Sequence, residues 1–147
     1  MRSIKYLIAT GYIFVTTYIV FFSGSRDHIK NYPLNLVPIR NRIRELRELP
    51  WHQPMVSLKI YANILGNIFL FIPFPIIIAW LFPRVSDRLI LFFAFITSVS
   101  IEAMQYFFQR GICDIDDVIL NVAGCIAGQV LMRWFNHTQL KPSGAYL

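Results

Sequence analysis

Residues 60–82 read IYANILGNIFLFIPFPIIIAWLF, from Ile60 to Phe82, without a single Asp, Glu, Lys or Arg. A stretch of this length crosses the roughly 30 Å of hydrocarbon in a bilayer, which takes about 20 apolar residues in a helix. A helix buried in a water-soluble core would need a polar face, and here only Asn63 and Asn67, both near one end, interrupt the apolar run. Pro73 and Pro75 fall in its middle. In water they would break a helix. In a membrane bundle they bend one instead, because neighbouring helices satisfy the freed backbone groups.

Three more runs have the same character: Tyr6 to Phe22, Leu89 to Phe108 and Val118 to Phe135, the last closed by Asn136 and His137. Arg2 and Lys5 precede the first run, as in a signal peptide. Its length is nearer to a span, however, and Ser23-Gly24-Ser25 is a weak cleavage cue, so it reads as an uncleaved anchor. Trp51, Tyr61, Trp80 and Trp134 fall near the ends of runs, where aromatic belts sit. The composition agrees: of 147 residues, 56% are hydrophobic and 15% charged, against about 25% charged in a soluble domain. The expected fold is an all-α membrane protein, a bundle of four transmembrane helices with a short amphipathic interfacial helix in the first loop. Residues 1–22 form the anchor helix, 23–135 the long loop and three further transmembrane helices, and 136–147 a polar tail.

The net charge of +6 lies outside the spans. In so apolar a chain it points to topology and to contact with anionic lipid, and no nucleic acid partner is expected. The cysteines, Cys113 and Cys125, are too far apart along helical chain to form a disulfide, and no zinc-type spacing occurs. In the long loop, Ile39, Ile43 and Leu46 share a helical face while Arg40, Arg42, Arg44, Glu45, Arg47 and Glu48 mostly take the rest, between Pro38 and Pro50. Such a helix either lies in the headgroup plane or shields the bundle as a solvated cover.

Polar residues gather at one end of the spans. Alternating helices put Asn63 and Asn67, Glu102 and Gln105, and Asp114, Asp116, Asp117 and Asn121 on a common side, with Arg110 between the third and fourth spans. Helical spacing repeats this: Lys59, Asn63 and Asn67 share a face, as do Ser98, Glu102, Gln105 and Gln109, and as do Asp114, Asp117, Asn121, Gly124 and Gly128. Asp116 leaves that stripe and is placed to cap the fourth helix, a role open to Asp114 as well. Gly124 and Gly128 let a neighbouring helix approach closely, within the chain or in an oligomer. Glu102 sits about 9 Å inside the third span, and an ionisable group at that depth marks a functional site by default.

Asn35-Leu36-Val37-Pro38, the run from Asn63 to Pro73, Glu102-x-x-Gln105, Arg110, and Asp114-Ile115-Asp116-Asp117-Val118-Ile119-Leu120-Asn121-x-x-Gly124 resemble the VanZ-like family of bacterial membrane proteins. The resemblance runs from about Asn35 to Phe135. It departs at Phe74-Pro75, where the family often has a glycine after the Phe-Ile-Pro-Phe stretch. It implies a multi-pass protein of the bacterial cell membrane whose namesake lowers sensitivity to teicoplanin, a glycopeptide with a lipid tail that acts at the outer face. A glycopeptide or a lipid-linked cell-wall precursor is then the expected partner besides the bilayer.

Two readings of the polar residues follow. In the first, Asn63, Asn67, Glu102, Gln105, Arg110, Asp114, Asp116, Asp117 and Asn121 form a binding cluster without catalysis. In the second, Glu102 or Asp117 is catalytic toward a lipid-linked or headgroup substrate, with Asp114, Asp116 and Asp117 as candidate ligands for a divalent cation; no other cofactor is evident. Transport ranks last, since the polar groups do not line a full path. A polar cluster outside the cell requires a cytoplasmic N-terminus. The basic count opposes it slightly, with six Lys and Arg on the N-terminal side and eight on the other, whereas the first-span flank favours it.

Overall fold

The structure is a computed structural model and describes residues 2–22, 35–48, 52, 54–108 and 113–139. The described residues form six helical segments: α1 (Arg2–Phe22), α2 (Arg40–Arg47), α3 (Pro54–Phe71), α4 (Pro73–Leu81), α5 (Asp87–Phe107) and α6 (Ile115–Gln139). Four helices are long and apolar enough to cross a membrane, with α3 and α4 together supplying one 28-residue span. The all-α bundle expected from the sequence is the architecture observed. All four helices start earlier than their apolar runs, α1 at Arg2, α5 at Asp87 and α6 at Ile115. The second span starts at Pro54, because proline suits a helix's first position, and α6 runs past Asn136 to Gln139.

The prolines bend the second span without ending it. Ile72, between α3 and α4, keeps right-handed helical angles (φ −58°, ψ −44°), so the two helices form one kinked rod. At the bend Phe71 and Phe74 stack with centroids 5.6 Å apart. They are buried with Ile90 and Ala94 of α5 and Cys125 of α6.

α6 is the central span, with 44% of its most apolar window buried, and α1 is the most peripheral, with 6%. Gly124 and Gly128 explain the first number. A Cβ on Gly124 would collide with the carbonyl oxygen of Ile68, and one on Gly128 with the carbonyl oxygen of Ile72 and the ring of Pro75. The two helices therefore touch backbone to backbone, at a distance that favours Cα–H···O contacts. Both glycines are taken up by the chain's own second span, so an oligomer would need a different surface.

α1 lies antiparallel to the kinked rod. Lys5 Nζ donates to the Trp80 carbonyl at 3.3 Å, Tyr12 Oη to the Leu70 carbonyl at 2.9 Å, and Gln105 Nε2 of α5 to the Val20 carbonyl at 3.0 Å. The outer surface exposes Phe14, Phe92, Phe95 and Val130, as a lipid-facing wall should, with Trp80 and Trp134 exposed at one end. Trp51 lies outside the described residues.

Candidate polar site at one end of the bundle

The loop before α6 and the start of the first described loop segment are joined by backbone. Asn35 and Asp114 form a parallel β-bridge, in which Asn35 N donates to the Cys113 carbonyl at 2.9 Å and Ile115 N to the Asn35 carbonyl at 3.0 Å. This fixes the N-terminus of α6. Asp114 caps that helix, its Oδ1 accepting from Asp116 N at 2.9 Å and from Asn35 Nδ2 at 2.8 Å. Asp116 and Asp117 occupy the first turn, where the helix dipole favours negative charge.

The aspartates then diverge. Asp116 turns away from the Asp117–Asn121 stripe, and its Oδ1 accepts the N–H of Ile39, the residue entering α2. Ile39 has φ 65°, a conformation that a β-branched residue adopts only under strain, at a cost of about 1–3 kcal/mol. The Asp116 hydrogen bond is one of the contacts that holds it there. Asp117 points inward, and its Oδ1 accepts from Asn63 Nδ2 of α3 at 3.1 Å.

Among the described residues, the cation of this cluster is Arg42. Its Nη2 lies 3.0 Å from Asp117 Oδ1 and 3.3 Å from Asp114 Oδ2, with side-chain exposures of only 14%, 8% and 17%. Reading the sequence for site residues missed it, because it was counted with the polar side of α2. Spacing does not single it out: Arg42 shares a helical face with Ile39 and Leu46, and both of those are exposed. Arg110, which the sequence placed in the binding cluster, lies outside the described residues, as does Gln109. α2 thus covers the cluster while Ile43, Leu46, Arg44 and Arg47 stay exposed, the pattern of a helix at a lipid interface.

Beneath Arg42 lies a partly open cavity of about 130 Å³ lined by α1, α3, α5 and α6. Asn63, Asn67, Glu102, Gln105, Asp117 and Asn121 line it, facing Val20 and Phe21 of α1. Six of the nine residues expected to bind are therefore in one wall. Asp114 and Asp116 sit above it, and Lys59 is exposed and does not join. Glu102 is 4% exposed, and its Oε2 accepts the Asp114 N–H at 2.9 Å, which ties α5 to the cap of α6. Asn121 Nδ2 donates to Ser98 Oγ at 2.8 Å. Two wall atoms, Asn67 Nδ2 and Asn121 Oδ1, are buried without a hydrogen-bond partner among the described residues. Such atoms cost about 1–3 kcal/mol each when left so.

Cys113 stands beside this cluster. Its thiol pKa is raised above the ordinary value by partial burial first, then by the negative charges of Glu102 and Asp114. Among the described residues, no three His, Cys, Asp or Glu side chains are placed to share a metal ion. Asp114, Asp116 and Asp117 instead serve Arg42, backbone N–H groups, Asn35 and Asn63. His52 is exposed, His28 lies outside the described residues, and nothing is described of the His137 side chain.

A family model described as VanZ/LLP1 matches residues 6–136. The chain belongs to the VanZ/LLP1 family. The match takes in nearly all of the four spans, α2 and every residue of the cavity wall. No curated protein and no solved structure matches it.

Proposed function

We propose that this VanZ/LLP1 chain is a multi-pass protein of the bacterial cell membrane whose polar cavity binds the polar part of an envelope molecule. By doing so it alters envelope behaviour or lowers susceptibility to teicoplanin-type glycopeptides. The observation that carries the reading is the cavity wall. Four carboxamides and two carboxylates surround about 130 Å³ at membrane depth, and two buried amide atoms at that wall lack partners. A bundle that needed only stability would fill such a space with apolar side chains. A cytoplasmic N-terminus places the cavity at the outer face. Of the eight basic residues that count against that orientation, Arg42 is consumed inside the cluster.

The test is teicoplanin and vancomycin susceptibility of a Gram-positive host expressing the wild type, Glu102→Gln or Asp117→Asn at matched membrane levels. Selective protection against teicoplanin that both variants lose supports the reading. Equal protection by wild type and variants sinks the cavity's part in it. The enzymatic alternative draws on Glu102 and Asp117 lining the same small cavity, where burial suits a carboxyl group for proton transfer. In that case Glu102→Gln abolishes turnover of a lipid-linked substrate while binding persists.

A further inference from the structure

A second cavity, of about 440 Å³, runs between α1, α4 and α5. Its lining is mostly apolar, with Ala9, Ile13, Phe74 and Ile78 among the residues that form it and a few hydroxyl side chains between them. It shares Val20, Phe21 and Ile101 with the polar cavity, so the two spaces meet at one partition. Thr17, Ser100 and Met104 both line it and are exposed on the flank of the bundle, which opens it sideways to the bilayer.

The dimensions fit one hydrocarbon chain. Ala9 and Phe21 lie twelve residues apart on α1, about 18 Å at the rise of an α-helix, against about 15 Å for half the bilayer's hydrocarbon core. A void of 440 Å³ would be expensive in a close-packed interior. It is unremarkable where a lipid chain completes the packing, and α1 is the one span that hardly packs on its own, with 6% of its window buried. The head end has its own chemistry. The described wall of the polar cavity holds carboxamides and carboxylates and no Lys or Arg. That set accepts hydroxyl donors and offers amide donors in return, whereas a phosphate there would face Glu102 and Asp117.

We infer that the two cavities are one lipid site. A hydroxyl-rich head, such as a sugar or glycerol, sits against Asn67, Glu102, Asp117 and Asn121, and one chain of the same lipid lies between α1, α4 and α5. This rests on the proposed binding role of the polar cavity and adds the class of ligand and the place of its tail.

The experiment uses the full chain in vesicles with a photoactivatable diazirine in one acyl chain of either monoglucosyldiacylglycerol or phosphatidylcholine, followed by mapping of the adducts. The expected result is labelling of Met104, Thr17 and Ile78 by the glucolipid, about tenfold above the choline lipid, as two extra hydrogen bonds would give. Ser100→Phe, at the exposed mouth, should remove that labelling while leaving helix content and membrane level unchanged. Asn67→Leu combined with Asn121→Leu should erase the preference for the glucolipid. Adducts spread evenly over the outer wall, at Phe92 and Val130 as much as at Met104, overturn the inference, and so does equal labelling by both lipids. These outcomes are independent of drug susceptibility. Cavity labelling without teicoplanin protection keeps the site and removes the glycopeptide role. Protection without cavity labelling does the reverse.

Discussion

The two ends of this bundle both carry an Arg–Asp ion pair, and they are built differently. At the end holding the C-termini of α4 and α6, Arg133 meets Asp87, with side chains 66% and 40% exposed. Nearby, Gln129 Nε2 closes on the Asp87 carbonyl at 2.9 Å. At the other end Arg42 is largely buried against two aspartates, one of which caps α6 and binds the β-bridge residue Asn35 while the other binds an asparagine of α3. The first arrangement fastens α5 to α6 at the surface. The second spends far more polar chemistry than fastening requires, and directly beneath it lies a polar cavity. The difference teaches where to look for function: not at the mere presence of an ion pair, but where polar groups are desolvated around a space.

The largest effect expected from this contrast is at Arg42. Arg42→Met takes this cation away from Asp114 and Asp117 in a largely desolvated setting, and removing one partner of a buried pair costs about 3–5 kcal/mol. Unfolding of the purified protein by titrated denaturing detergent should show the loss. A shift no larger than that of Arg133→Met would break the comparison between the ends.

Next comes the cavity wall. Ser98→Ala with Asn121→Leu removes a hydrogen-bonded pair and, with it, the buried Oδ1 that has no partner. Replacing both partners with apolar groups is close to neutral, and removing the orphan atom should raise stability by about 1 kcal/mol. The same double variant should lose any protection against teicoplanin. Lower stability in the unfolding titration, with protection retained, would mean that these groups are structural.

The ion pair at the far end should matter least to stability. Arg133→Met is expected to cost under about 1 kcal/mol, and raising the salt should shrink even that, because the pair is exposed. A loss comparable to Arg42→Met, unaffected by salt, would make both ends structural in the same sense.

Much of this contrast was legible in the sequence. Residues 60–82 announce a span through composition alone, and the spacing of Ser98, Glu102 and Gln105 and of Asp117, Asn121, Gly124 and Gly128 gave the buried stripes. Helical periodicity reports which residues share a face, and those faces did turn inward. The residues brought by the loop were harder. Arg42 reaches Asp114 and Asp117 across more than 70 positions of chain, through the Asn35–Asp114 bridge and the strained Ile39 turn. Neither device leaves a periodic trace. The ion pair at the far end was also missed, since Asp87 and Arg133 each look like ordinary terminal charges until α5 and α6 are seen side by side. The apolar cavity has no signature at all in a run of hydrophobic letters. It depends on how far α1 stands from α4 and α5, which only packing decides.

Cys113 offers the smallest effect and the finest probe of the polar end, because it sits beside Asp114 while Cys125 is buried in α6. With its pKa raised by burial and by the charges of Glu102 and Asp114, less of the thiol is ionised at neutral pH than in a free cysteine. Maleimide labelling should therefore be slower at pH 7 than that of a free cysteine, and should need a higher pH to accelerate than a free thiol does. Asp114→Asn keeps a good cap while deleting one negative charge, so it should label a few-fold faster at pH 7. An unchanged rate would mean that access, not charge, limits the reaction. A membrane-impermeant maleimide applied to intact cells then reads the orientation from the same residue. Labelling from outside places the polar end where glycopeptides act, and labelling only after lysis places it in the cytoplasm and removes the proposed encounter.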